Sequence, residues 1–391
     1  MPRHQIASVA LAIVCGSVPA AIQAQQPTPP QQPLGQTPPS TLPPASPFSG
    51  IIFGNYQYHA ERAPDGSTAA NRFDLDRAYL TYRLAAGSRT GVRVTADLFK
   101  SPTTGYDLRL KYAYLQYDFL KRPDLSAFVR AGILHTVEID HEENYWPRWI
   151  AQVATERARF FSSADVGVAT QVNLPQKLGE VYATVTDGPG YVNAGADDRF
   201  KDYALRLSLT PLASGAGIFR TFTLSPWVYR GDTASKFAGS AADPTTGVLG
   251  PIGRGLRRNR WGVFAGLRDP RLSLGAEYAE RTDETELGEN TAASPVTVAS
   301  ATGRVLSAYA VVKPFLLADS ASAIPLGVVV RWDDTRPDKS QDPGTHFIVA
   351  GLTWDLSSRA ALALDYQEQL PHDGTSTPAS KVYFAHFVAS F

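Results

Sequence analysis

A chain of 391 residues with 37 basic and 37 acidic side chains carries no net charge and offers no basic excess for a nucleic-acid backbone to select. Its mean hydropathy is -0.17, and past the amino-terminal segment no apolar run reaches the roughly 18 residues of a membrane-crossing helix. The length fits two or three soluble domains or one large barrel, whose strands turn only every second residue to lipid and so leave hydropathy low.

At the amino terminus, Arg3, the apolar stretch 6–18 and the small residues of 19–24 predict a secretory signal peptide over 1–24, with Ala20 or Ala24 the last residue removed. The single cysteine, Cys15, and the single methionine, Met1, both fall inside it. The mature chain would therefore be free of thiols, which avoids mispairing in an oxidising periplasm. Residues 25–47 are Pro-rich among Gln, Thr and Ser, and predict an extended, disordered periplasmic tether with no core.

From residue 48 onward, alternating segments of about ten residues are broken by turn chemistry. Strands are expected at 48–59, 71–85, 90–100, 107–119, 125–136, 164–173, 179–187, 200–210, 218–230, 260–268, 271–281, 303–314, 324–333, 346–356, 360–368 and 380–391. The fold class is thus all-β: a transmembrane antiparallel up-and-down barrel of about 16 strands over 48–391. Short connections (86–89, 121–124, 174–178, 211–216, 268–270, 357–359) alternate with long polar ones (60–70, 137–163, 188–199, 231–258, 282–302, 334–345, 370–378). A soluble sandwich has no cause to separate them, whereas a barrel with tight inner turns and long outer loops does.

Side-chain alternation assigns the two faces. In 77–84, Ala78, Leu80, Tyr82 and Leu84 would meet lipid while Arg77, Tyr79, Thr81 and Arg83 face inward. The same count turns Arg93, Arg130, Arg206 and Arg331 inward, together with the acids Asp97, Asp118, Glu277, Asp355 and Asp365. A polar inner face implies water, which separates a channel from a packed soluble core. Aromatics near the expected strand ends, among them Tyr117, Tyr203, Trp261, Trp332, Trp354 and Tyr383, fit an interfacial girdle.

The connection 136–163 is long, acidic and aromatic: Glu138, Asp140, Glu142, Glu143 and Glu156 stand against Arg148, Arg157 and Arg159, with Tyr145, Trp146 and Trp149 as anchors. It either folds into the barrel or caps the outside. At the far end, Tyr383, Ala385, Phe387, Ala389 and Phe391 share one face of a strand that runs to the terminal carboxylate. Such an ending suits a barrel, whose last strand must close on the first because an open edge in hydrocarbon leaves backbone groups unsatisfied.

Several stretches resemble a known family. Phe73-Asp74-Leu75-Asp76-Arg77-Ala78-Tyr79-Leu80, Tyr112-Ala113-Tyr114-Leu115-Gln116-Tyr117 followed by Phe128-Val129-Arg130-Ala131-Gly132, Ala164-Asp165-Val166-Gly167-Val168 and Asp187-Gly188-Pro189-Gly190-Tyr191 are similar to segments of the phosphate-selective porins O and P. The resemblance spreads over most of 48–391. It implies a bacterial outer-membrane porin, homotrimeric, passing small polar or charged solutes and anions such as phosphate, with lipid and lipopolysaccharide around it. It also implies a third extracellular loop folded into the lumen, making 136–163 the constriction, and a terminal strand whose Tyr383, Phe387 and Phe391 signal to the barrel-assembly machinery.

Counted on the sequence, loop and wall charges are mixed in sign, which predicts weak ion selectivity rather than a phosphate-specific ladder. No cofactor is expected. The one local ligand cluster, His135, His141 and Glu142, fits no zinc spacing, so no metal is assigned. Two alternatives remain: an outer-membrane barrel enzyme of phospholipase type, for which His346 would be the outer-wall histidine, and a secreted soluble β-protein binding sugars.

Overall fold

The computed structural model describes residues 46–391 except 62–69, 102–103, 194–197, 236–254, 290, 292, 295, 342–343 and 373–378. The expected signal peptide, and the tether up to residue 45, lie outside the described residues. Sixteen strands follow in order: β1 (Phe48–His59), β2 (Asn71–Ala85), β3 (Thr90–Ser101), β4 (Gly105–Lys121), β5 (Ser126–His135), β6 (Ala164–Asn173), β7 (Gly179–Thr186), β8 (Asp202–Leu209), β9 (Thr223–Thr233), β10 (Leu256–Asp269), β11 (Leu272–Leu287), β12 (Thr297–Val312), β13 (Leu326–Arg336), β14 (Thr345–Ser357), β15 (Ala360–Pro371) and β16 (Ser380–Ser390). Each pairs antiparallel with its sequence neighbours, and β16 pairs with β1 to close the barrel. Closure satisfies the strand backbones within the wall, as a hydrocarbon environment requires.

β13 shows how composition becomes a wall. Val328, Val330 and Trp332 lie outside and exposed, while Val329, Arg331 and Asp333 are buried on the inner side. β-Branched residues suit this pleat, and lipid, not water, is the solvent that tolerates the outer row. Leu80, Leu84, Leu115, Leu352 and Leu364 continue the apolar exterior on other strands, and Tyr117, Tyr203, Trp261, Trp354 and Tyr383 also face outward.

The seam is fastened to the last residue: Gly50 and Phe391 exchange both backbone hydrogen bonds at 3.0 Å.

The structure shifts several expected boundaries. The expected strand 218–230 begins at Thr223, because Ile218–Thr221 form a 3-10 turn after Gly217, whose φ is 78°. β10, β11 and β12 run further outward than expected; Glu284↔Ser300 and Glu286↔Val298 are ladder partners, although these polar stretches read as loop. A bulge between Thr95 and Ala96 breaks the alternation opposite, so that consecutive Lys111 and Tyr112 are both buried. The inner connection after β12 holds a short helix, Pro314–Ala318.

Candidate functional site

The connection between β5 and β6 lies inside the barrel. Val137, Ile139, Trp146, Val153 and Phe160 within it are buried to 1% exposure or less. Two single-turn helices, α1 (Ile139–Glu142) and α2 (Ala154–Arg157), interrupt an otherwise irregular path. Irregular backbone inside a protein needs partners for its carbonyls, and the wall supplies them. Arg206 of β8 donates to Val137 O, Ser273 of β11 to Tyr145 O at 2.6 Å, and Arg331 of β13 to Gln152 O at 2.7 Å. Gln367 of β15 donates to Ile150 O at 3.0 Å, and Arg281 of β11 donates to the carbonyls of Ala158 and Arg159. The loop is thereby tied to strands from β8 round to β15.

Aromatic contacts complete the anchorage. Trp146 packs on Tyr309 with centroids 5.1 Å apart and lies under the Arg331 guanidinium at 4.8 Å. Tyr145 meets Phe264 at 4.9 Å, Phe161 meets Trp227 at 4.9 Å, and Trp149 meets His386 at 6.3 Å.

The loop charges are disposed in three ways. Arg148 clamps Glu143 and Glu156 together, the latter through both guanidinium nitrogens. Arg157 stands 3.5 Å above the Phe347 ring, and Arg159 contributes its carbonyl to Arg281. Glu138 and Glu142 point to the wall, where Glu277 of β11 joins them: one of the two oxygens of each carboxyl lies within 4.8 Å of one from each of the others. None of these six oxygens has a hydrogen-bond partner among the described residues. Burial pushes both loop carboxyls up, Glu138 well above the usual range with Glu142 adding to it, and Glu142 to about 7. Three carboxylates this close cannot all ionise, and a proton on Glu142 supplies the donor the cluster lacks.

Asp140 alone among the loop acids turns to open space, 3.5 Å from His135. With His141, Asn144 and Tyr145 it forms one side of a cavity of about 800 Å³. The other side is the wall from β3 to β10, carrying Arg93, Arg130, Arg206 and Arg268, with Arg122 and Lys177 from the inner turns. Against these six cationic side chains stand three carboxylates: Asp124, Asp140 and Glu180. His141 adds no charge, since burial, reinforced by Arg206, holds its pKa well below the usual imidazole range while its Nε2 lies 2.9 Å from Ser225 Oγ.

The sequence-expected wall residues therefore separate. Arg93, Arg130 and Arg206 line the cavity. Arg77 is paired with Asp97, which Arg109 also holds. Arg83 donates to Ser49 near the seam, Asp118 accepts from Gln116 at 2.7 Å, and Arg331 is buried on Asp333 beneath the loop. Arg268 and Lys111 were missed, the first because it sits where a turn is expected and the second because the bulge reverses its face.

No family model and no curated relative matches the chain. Among solved structures it is similar to an anion-selective porin from Comamonas acidovorans, with TM-score 0.58 and 10% identity over 88% of this chain and 98% of that one. It is also similar to OprB of Pseudomonas putida (TM-score 0.56, 10% identity, 88% and 94% covered), and to OmpF of Salmonella typhi in complex with daunomycin (0.55, 13%, 88% and 97%). At these identities the likeness is one of fold: a closed sixteen-stranded barrel of the outer-membrane porin type.

Proposed function

We propose that this chain forms a water-filled channel across the bacterial outer membrane, through which small polar solutes diffuse and which favours anions, phosphate among them. The observation that carries this reading is the separation of charge around the inward loop. Four of the five loop acids are withdrawn from the cavity, two against Glu277 and two on Arg148, while six cationic side chains line it against three carboxylates. In a narrow wet space bounded by protein and lipid, such an imbalance sets up potentials of several kT that concentrate anions. On this reading the cavity is basic, where counting charges along the sequence expects a mixed lumen.

Reversal potentials in planar bilayers under a KCl gradient test it. Chloride should permeate better than potassium at about 0.1 M salt, with the preference fading towards 1 M as the screening length falls from about 10 Å to about 3 Å. The double variant Arg130→Ala, Arg268→Ala should lose most of that preference, and cation selectivity of the wild type would overturn the reading. Block of the chloride current by phosphate would support the family resemblance; a channel indifferent to phosphate would be a general anion porin.

The same reading implies a homotrimer embedded in lipid and lipopolysaccharide and a terminal strand, with Tyr383, Phe387 and Phe391 outermost, presented to the assembly machinery. Light scattering in detergent, with the detergent contribution subtracted, measures the first. For the phospholipase-type alternative, the outer-wall histidine His346 faces Trp332, Asp334 and His372, a set suited to holding an ion rather than to acyl transfer.

A further inference from the structure

The outer ends of β13, β14 and β15 bring together three residues that the pore does not use. Asp334 and His346 are direct cross-strand partners. Each lies two positions from an outward-facing residue, Trp332 or Ile348, so both belong to the outer surface. His372 follows β15 immediately and is tied back by its N–H to Gly344 O at 2.8 Å. Gly344 also makes room for its ring, since a Cβ there would lie 2.8 Å from His372 Cε1 and Nδ1.

Asp334 Oδ1, His346 Nδ1 and His372 Nε2 converge: one ligand atom from each residue lies within 4.8 Å of the others. Asp334 Oδ1 is 2.9 Å from His372 Nε2 and 3.9 Å from His346 Nδ1. Four ligands at the usual zinc distances of about 2.0–2.1 Å stand about 3.3 Å apart, a separation these two values bracket. Neither Asp334 Oδ1 nor His346 Nδ1 has a hydrogen-bond partner among the described residues. The second carboxylate oxygen accepts from Arg304 Nη2, which holds the carboxylate with Oδ1 turned to the two rings. An Asp–His ion pair would account for His372 alone. It would not bring a second ring nitrogen, itself without a partner, into the same small sphere.

We propose that Asp334, His346 and His372 bind a divalent transition-metal ion of the zinc class at the outer rim. Two imidazoles and one carboxylate select borderline ions over Ca²⁺ and Mg²⁺, which prefer all-oxygen sets. His346 has a side chain 38% exposed, while its Nδ1 and Asp334 Oδ1 face the cluster and are buried. The ion would pin the outer ends of three strands together.

Zinc alone, titrated into untagged full-length protein in detergent against a chromophoric chelator, tests the site. A single zinc per chain is expected, with Ca²⁺ and Mg²⁺ failing to displace it. His346→Ala and Asp334→Asn should each weaken binding by at least about tenfold, while His59→Ala changes nothing. Zinc-edge X-ray absorption should report nitrogen and oxygen neighbours only. Absence of zinc uptake by the wild type, full affinity in His346→Ala, or displacement by Ca²⁺ would each overturn the proposal. Should Asp334→Asn fail to give the heat-modifiable folded band, His346→Ala decides the matter, because that side chain is partly exposed and its loss leaves no cavity.

Discussion

Gly50 and Phe391 are where one residue decides closure. A Cβ on Gly50 would lie 2.3 Å from Phe391 Cζ, so the terminal ring covers the glycine directly. Gly50→Val should therefore displace the ring and weaken the seam, cutting the yield of the heat-modifiable folded barrel at least tenfold while secretion continues; normal yield would show that the ring is free to move aside. Glu142 governs the loop. Its carboxyl titrates near 7 when docked against an ordinary value of 4.5, so docking is strongest below about pH 4.5 and weakens as the pH rises through 7, by about 3 kcal/mol once ionised. Protease cleavage within 136–163 should accelerate across that window in the wild type, and Glu142→Gln should remove the step. A pH-independent wild type would mean the carboxyl cluster is accommodated in another way.

At the scale of elements, the inward loop and the wall are separable. The ladder of β1 to β16 is complete without the loop, whereas the loop relies on side chains from β8 to β15 for its path. Excising residues 142–157 should raise single-channel conductance severalfold and lower the thermal midpoint, with the barrel still folding. The wall groups left behind, Arg331 and Gln367 among them, would exchange loop carbonyls for water at little cost because the vacated space is wet. Unchanged conductance would remove the loop from the conducting path.

For the whole molecule, the apolar exterior and the closed backbone ladder predict resistance to detergent until heating. Unheated protein should migrate faster on a denaturing gel than boiled protein, and a single mobility at both temperatures would return the soluble sugar-binding alternative. The cavity with its six cationic side chains belongs to this scale too, because those residues come from four strands and two turns and act only as a common field.

The sequence by itself determined the barrel, its sixteen strands and the long loop, because lipid outside and water inside impose a period of two on every strand and because loop length records which end of the barrel a turn occupies. β2 and β6 fall where the alternation placed them, while the bulge in β3 and β4 and the polar extensions of β10 to β12 did not show, since a register shift or a partner strand leaves no local mark. Tertiary structure alone decided which charges meet. Glu138 and Glu142 find Glu277 only when the loop crosses the lumen, and Asp334, His346 and His372 find one another only when three strand ends align. Such meetings depend on closure and on the path of the loop, and neither is encoded in the spacing of residues along one strand.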